Sequence, residues 1–244
     1  MAEQKKTSGK RTIVKAEDGA AKGRTIKEAP KTGNATGLRI GAVVLWLAAI
    51  ALEVLAVLIF NGSVTLSFLP LSTLAQIIVA LVLDLILVII GSQLWKKSNH
   101  IDPVSEKNKL KFWLWNNMGV IVCVVAFVPF IILALKDKDA DAKTKKIASI
   151  VAIVALLICG IASYDFDPIS EEQKAEAMAE YGDTMVYWTP FGKVYHTDVD
   201  CHAMNRTDTI TEGTVEQAIA ANRTRVCSYC EKRDAQAIEN AATE

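Results

Sequence analysis

Four side chains near the C-terminal end have the types and spacing to hold a metal ion. They are His196, Cys201, Cys227 and Cys230, arranged H-x4-C-x25-C-x2-C. Zinc takes four nitrogen or sulfur ligands in a tetrahedron, and the two residues inside a C-x2-C pair let both sulfurs turn onto one ion. Four protein ligands close the shell and leave no position for an activated water, so the chemistry expected is one structural Zn2+ and not hydrolysis. His202 is a spare nitrogen beside Cys201, but a surface histidine there needs no such role. Two other chemistries compete. A redox pair would want a thioredoxin-like βαβ pattern around Cys227 and Cys230, and none is present. A disulfide in an oxidising space would leave one of the three thiols over.

The elements that must position these ligands are short. Residues 186–188 and 193–196 are β-prone, and Thr189-Pro190-Phe191-Gly192 between them is turn chemistry, so a hairpin ending on His196 is expected. An Asp-rich turn leads to Cys201. Thr214 and Gln217 form a T-x-x-Q capping box for a helix that Asn222 can end. Residues 224–226 run extended into the C-x2-C pair, and a last helix is expected over about 231–241. The domain, 185–244, is of a size where a metal staple helps greatly.

The pattern T-x-x-G-K-x-Y-H-x4-C, then E-x-A-x-A and C-x-x-C, resembles the small zinc-binding domain of the Ada type. That domain stands at the front of a bacterial DNA alkylation-repair protein. Similar tails occur on bacterial membrane proteins and secreted nucleases. The resemblance covers about 186–230, under a fifth of the chain, and maps its four metal positions onto His196, Cys201, Cys227 and Cys230. It implies zinc binding in a bacterial protein. In the repair protein the first ligand is a methyl-accepting cysteine; here it is His196, so methyl transfer does not carry over.

Before this domain lie four apolar runs, at about 40–60, 74–95, 113–135 and 147–163. A bilayer core of about 30 Å takes roughly 20 helical residues, so all four are expected to cross, the last near the lower limit. The fold class is therefore a four-helix membrane protein (39–163) with a helical connector (164–184) and a small α+β zinc-binding domain. Ser170 and Gln173 make a capping box for the connector helix, Gly182 suits its C-terminal end, and its four glutamates suggest a solvated segment. Cys123 and Cys159 fall in apolar runs and read as small buried apolar residues. Asn116 and Asn117 suit interhelix or interfacial contacts.

The net charge of zero conceals a segregation. Residues 1–39 hold ten Lys/Arg against four Asp/Glu, and residues 164–244 hold seven against sixteen, giving +6 and −9. Residues 1–38 are expected to be a disordered basic tail. Lys96, Lys97, Lys107, Lys109 and Lys111 follow the second run, whereas residues 61–73 carry no charge. By the positive-inside rule this places the N-terminus and, after four crossings, the C-terminal domain in the cytoplasm of a bacterial cell. Five lysines among residues 136–146 oppose that orientation. Trp95, Trp113 and Trp115 would then form an inner aromatic belt.

Glu53 and Asp84 lie inside the first two runs. Intramembrane acids are costly and point either to a proton or cation path or to a hydrogen-bonded pair between helices. The latter is favoured, because no broken helix or inverted repeat accompanies them. The reading that follows is a non-catalytic membrane protein with a structural-zinc interaction module for a protein partner or for self-association. The alternatives are a small ion- or proton-coupled transporter using Glu53 and Asp84, and a membrane-tethered nucleic-acid binder. The acidic C-terminal part disfavours nucleic acid, although Arg206, Arg223, Arg225, Lys232 and Arg233 offer a local basic patch. No phosphate loop, nucleophile elbow or HExxH motif points to an enzyme.

Overall fold

The computed structural model describes residues 25–138 and 140–243. Most of the tail expected to be disordered, residues 1–24, lies outside the described residues. The element order is β1 (Thr25–Glu28), α1 (Ala35–Phe60), α2 (Thr73–Ile101), α3 (Lys109–Asn116), α4 (Met118–Lys136), α5 (Ala142–Ser163), α6 (Glu171–Tyr181), β2 (Val186–Trp188), β3 (Val194–Tyr195), β4 (Thr209–Gly213), α7 (Val215–Ala220), β5 (Arg225–Val226) and α8 (Ser228–Thr243), with a 3-10 turn at His202–Met204.

Helices α1, α2, α4 and α5 are long and apolar enough to cross a membrane. They coincide with the four expected runs, extended by local caps. Asn34 starts α1 by accepting from Thr36 and Gly37, and Asp141 starts α5 by accepting from Thr144. The third run is divided at Asn117, with α3 before it. In α1, Ala42, Trp46, Ala49, Glu53 and Ala56 recur every three or four residues and form the buried face. The small residues among them let helices approach closely. At Gly91 a side chain has no room: a Cβ there would lie 2.6 Å from Nε1 of Trp46. The outer faces carry exposed Ile40, Leu47, Leu157 and Ile161, an apolar surface unsuited to water.

Two readings of this region need correction. Cys123 and Cys159 are buried but joined as a disulfide between α4 and α5, their Cα atoms 6.0 Å apart. Trp95 is not a belt residue: it is buried between Trp46 and Trp115, with centroid separations of 5.3 and 5.1 Å, and donates to the Trp115 carbonyl. Trp113 remains exposed. Of the two asparagines, Asn116 bonds Asn99 on α2, whereas Asn117 bonds the Trp113 carbonyl of the preceding turn.

The C-terminal domain draws on more of the chain than expected. Its three-stranded sheet has the order β1-β4-β2, with β1 parallel and β2 antiparallel to β4. Thr25–Glu28 is thus a strand and not disordered tail; it pairs in register from Thr25 with Thr209 to Glu28 with Glu212. Ala29 follows it into the domain core, bonding through its amide to the Glu212 carbonyl. Gly213 makes this approach possible, because a Cβ there would sit 2.7 Å from Cβ of Ala29 and 2.8 Å from the Trp188 ring.

The segment 164–184 is also more than a solvated connector. Ser170 and Gln173 form the expected capping box, but Ile169 and Tyr181 are buried in the same core as Val186 and Trp188. The Glu172 carboxylate is held by Ser105 and the Glu106 amide, which ties α6 to the loop after α2. These bonds, with the β1–β4 pairing and the Arg39–Asp102 ion pair at 2.8 Å, place the start of α1, the end of α2, the end of α5 and the C-terminal domain at one end of the bundle.

Candidate metal centre

The four predicted ligands converge. One ligand atom from each of His196, Cys201, Cys227 and Cys230 lies within 4.8 Å of the other three, and all four residues are buried. Nδ1 of His196 is 3.9 Å from Sγ of Cys230. A tetrahedral shell with bonds of about 2.0–2.3 Å asks for separations of roughly 3.3–3.8 Å between ligand atoms, so a metal ion would need only a small contraction. This cluster can hold a metal ion.

Local chemistry explains the placement. His196 follows β3 and exchanges two backbone bonds with Tyr187, at 2.8 and 2.7 Å. The expected hairpin is thus reduced to this one bridge, because β2 pairs mainly with β4, and β3 pairs in parallel with β5. The β3–β5 pairing sets the first and third ligands side by side, and the Cys227 amide donates to the Tyr195 carbonyl at 2.8 Å. Cys201 sits in a turn in which its amide donates to the Asp198 carbonyl, and its own carbonyl accepts from the Met204 amide in the 3-10 turn. Cys230 is in the first turn of α8, which begins at Ser228, earlier than expected. Met204 and Ile210 pack around the sulfurs and keep water out.

A polar clip holds the loop to the helix. Arg233 on α8 reaches Asp198 and Thr197, and Thr197 donates to Asp234 at 2.6 Å. The His196–Cys201 loop is therefore anchored one turn beyond Cys230 before any metal is considered. Burial pushes the Cys201 thiol up to about 12, and burial holds the His196 imidazole below its ordinary value against the opposing pull of Asp198. Metal-free, both are neutral near pH 7. None of Cys201, Cys227 and Cys230 is bridged. His202 is exposed, with its ring 4.1 Å from the Tyr229 ring, and takes no part in the cluster.

Two members of the suggested basic patch have other roles. Arg223 donates to the carbonyls of Thr189 and Pro190, closing the turn before β3, and Arg233 is the clip. Arg206, Arg225 and Lys232 are exposed. Sequence reasoning missed Thr197, Asp198 and Asp234 as supports, since nothing in their spacing distinguishes them from surface polar residues.

Glu53 and Asp84 are both buried within the bundle. The Glu53 carboxylate accepts from the Phe130 amide at 3.1 Å. Pro129 stands one residue before, inside α4, where its ring disturbs the helical ladder. Glu53 therefore accepts from the backbone amide beside Pro129, a role invisible in the sequence. Asp84 is fully buried and neither of its oxygens has a hydrogen-bond partner among the described residues. Glu53→Leu is expected to destabilise the bundle by about 1–3 kcal/mol, the cost of orphaning a buried donor. Glu53→Gln keeps the acceptor and should unfold in detergent near the wild-type midpoint. Equal damage from Gln and Leu would mean that charge, not the amide contact, is what Glu53 supplies.

Compared with known proteins, the chain matches no family model, no curated protein and no solved structure.

Proposed function

We propose that this chain is a multi-pass protein of a bacterial cell membrane whose C-terminal domain is stapled by one structural Zn2+ and works as a non-catalytic binding or assembly module. The observation that carries this reading is the convergence of four buried nitrogen and sulfur ligands. Such a set closes a tetrahedral shell and leaves no site for substrate or water. The apolar exterior of the four long helices supports a bilayer as their solvent. Lys96, Lys97, Lys107, Lys109 and Lys111 lie toward the end of the bundle that carries the domain, which supports a cytoplasmic location for both. The similarity to Ada-type domains agrees with zinc, and His196 in place of the methyl-accepting cysteine agrees with a structural role.

The test is metal analysis of the full chain, expressed in the cytoplasm and purified in detergent without added metal. About one zinc per chain is expected, with the thiols of Cys201, Cys227 and Cys230 protected until a chelator is added. A metal-free protein with two of those thiols bridged would overturn both the zinc assignment and the cytoplasmic location.

Asp84 favours a second reading, because a fully buried carboxyl without a partner among the described residues, inside a helix bundle, is where a proton or cation would bind. Flux through proteoliposomes that is abolished by Asp84→Asn would establish ion coupling. The absence of flux in the parent protein would remove it.

A further inference from the structure

A cavity of about 530 Å³ opens where the membrane bundle meets the C-terminal domain. Its walls come from four places: the last turns of α2, the segment just after α5, Lys193 in the turn before β3, and the end of α7 with the turn after it. We propose that this cavity binds the phosphate headgroup of an anionic membrane lipid.

The charge balance of the walls carries the proposal. Two acids line the cavity, and both are already paired: Asp165 with His100 at 2.9 Å, and Asp167 with Lys193 at 3.1 Å. Three further cations, Lys96, Lys97 and Arg223, line it with no carboxylate partner among the described residues. Lys97 is exposed. Helix C-termini would ordinarily oppose an anion here, but their carbonyls are engaged. Lys96 donates to the Ala162 and Tyr164 carbonyls, Gln93 also donates to Ala162, and Lys174 covers the Ile101 carbonyl. What faces the cavity is therefore net positive.

Position selects a lipid over a soluble anion. The cavity lies at the ends of two helices that are apolar up to this level, where headgroups would sit. Its rim carries Tyr164 and Phe166, an edge-to-face pair with centroids 4.8 Å apart, both exposed. Aromatic side chains of this kind favour the membrane interface, and basic pockets between helices there take anionic headgroups. The proposal rests on the bundle spanning a bilayer, which is tested separately by its resistance to extraction with alkaline carbonate.

The experiment is native mass spectrometry of the full chain, delipidated in detergent and titrated with dioctanoyl phosphatidylglycerol, dioctanoyl phosphatidylcholine or inorganic phosphate. Phosphatidylglycerol should bind at least tenfold more tightly than phosphatidylcholine. Lys97→Gln should weaken it about fivefold, the effect of one lysine near an anionic headgroup. Lys138→Gln, at the opposite end of the bundle, should leave it unchanged. Lys97 makes no internal bond among the described residues, so its loss does not threaten the fold, and retained zinc in the variant would verify this. Equal binding of the two lipids, or indifference to Lys97→Gln, would overturn the site. Inorganic phosphate binding as tightly as phosphatidylglycerol would overturn the lipid and leave a soluble anion as occupant.

Discussion

Replacing Cys227 by serine is expected to release the metal and unfold the C-terminal domain while leaving the helical bundle intact. Cys227 is 5% exposed and meets the other three ligands at the junction of β5 and α8. A serine hydroxyl is a poor zinc ligand at neutral pH, and a three-ligand remnant would admit water. Structural zinc contributes on the order of 10–16 kcal/mol of apparent binding energy, as much as the whole stability of a typical domain. No rearrangement of so small a core can offset such a loss. The checks are zinc per chain, thiol reactivity and limited proteolysis of the full protein. The variant should hold less than a tenth of the parent's zinc, expose its remaining thiols and lose the segment after α5 to protease. A Cys227→Ser protein with full zinc content and a protected C-terminus would remove Cys227 from the ligand set.

Deleting residues 1–30 is expected to loosen the same domain without touching any ligand. The deletion strips β1 from β4, removes Ala29 from the core and leaves the β4 edge open. The backbone bonds lost are each worth about 1 kcal/mol net, so a destabilisation of about 2–4 kcal/mol follows. Amide hydrogen exchange at Ile210 and Glu212 should accelerate, and zinc should pass to a chelator faster. Gly213→Val provides an independent check, because its side chain would drive Ala29 and Trp188 apart with the chain otherwise complete. Unchanged exchange in both variants would mean that β1 contributes nothing to the domain. The same pairing implies that a fragment starting at residue 183 is a poor stand-in for the domain, since it lacks β1 and the buried Ile169 and Tyr181.

Local signals were legible in the sequence. The spacing of His196, Cys201, Cys227 and Cys230 identified the cluster, because a ligand set is defined by residue types that have few other reasons to recur at such intervals. The four apolar runs located the long helices, with four of the eight ends within one residue and the other four five or six residues away, since a run of that length leaves the backbone little alternative to a helix. Ser170 with Gln173 and Thr214 with Gln217 marked two helix starts, and Asn222, at φ 65°, marked the end of α7.

Tertiary structure alone decided the rest. Strand β4 reads TITEG, too short and polar to stand out, and exists because β1 and β2 flank it. Strand β1 lies among basic and small residues, and only a partner far along the chain supplies the hydrogen bonds that offset its ordering entropy. Trp95 has the composition of an interfacial residue, yet the crossing of α1 and α2 buries it between two other indoles. Glu53 meets the Phe130 amide only because two helices distant in sequence pack side by side. The cavity below the domain likewise gathers its cations from three separate segments, and no local pattern records a meeting of that kind.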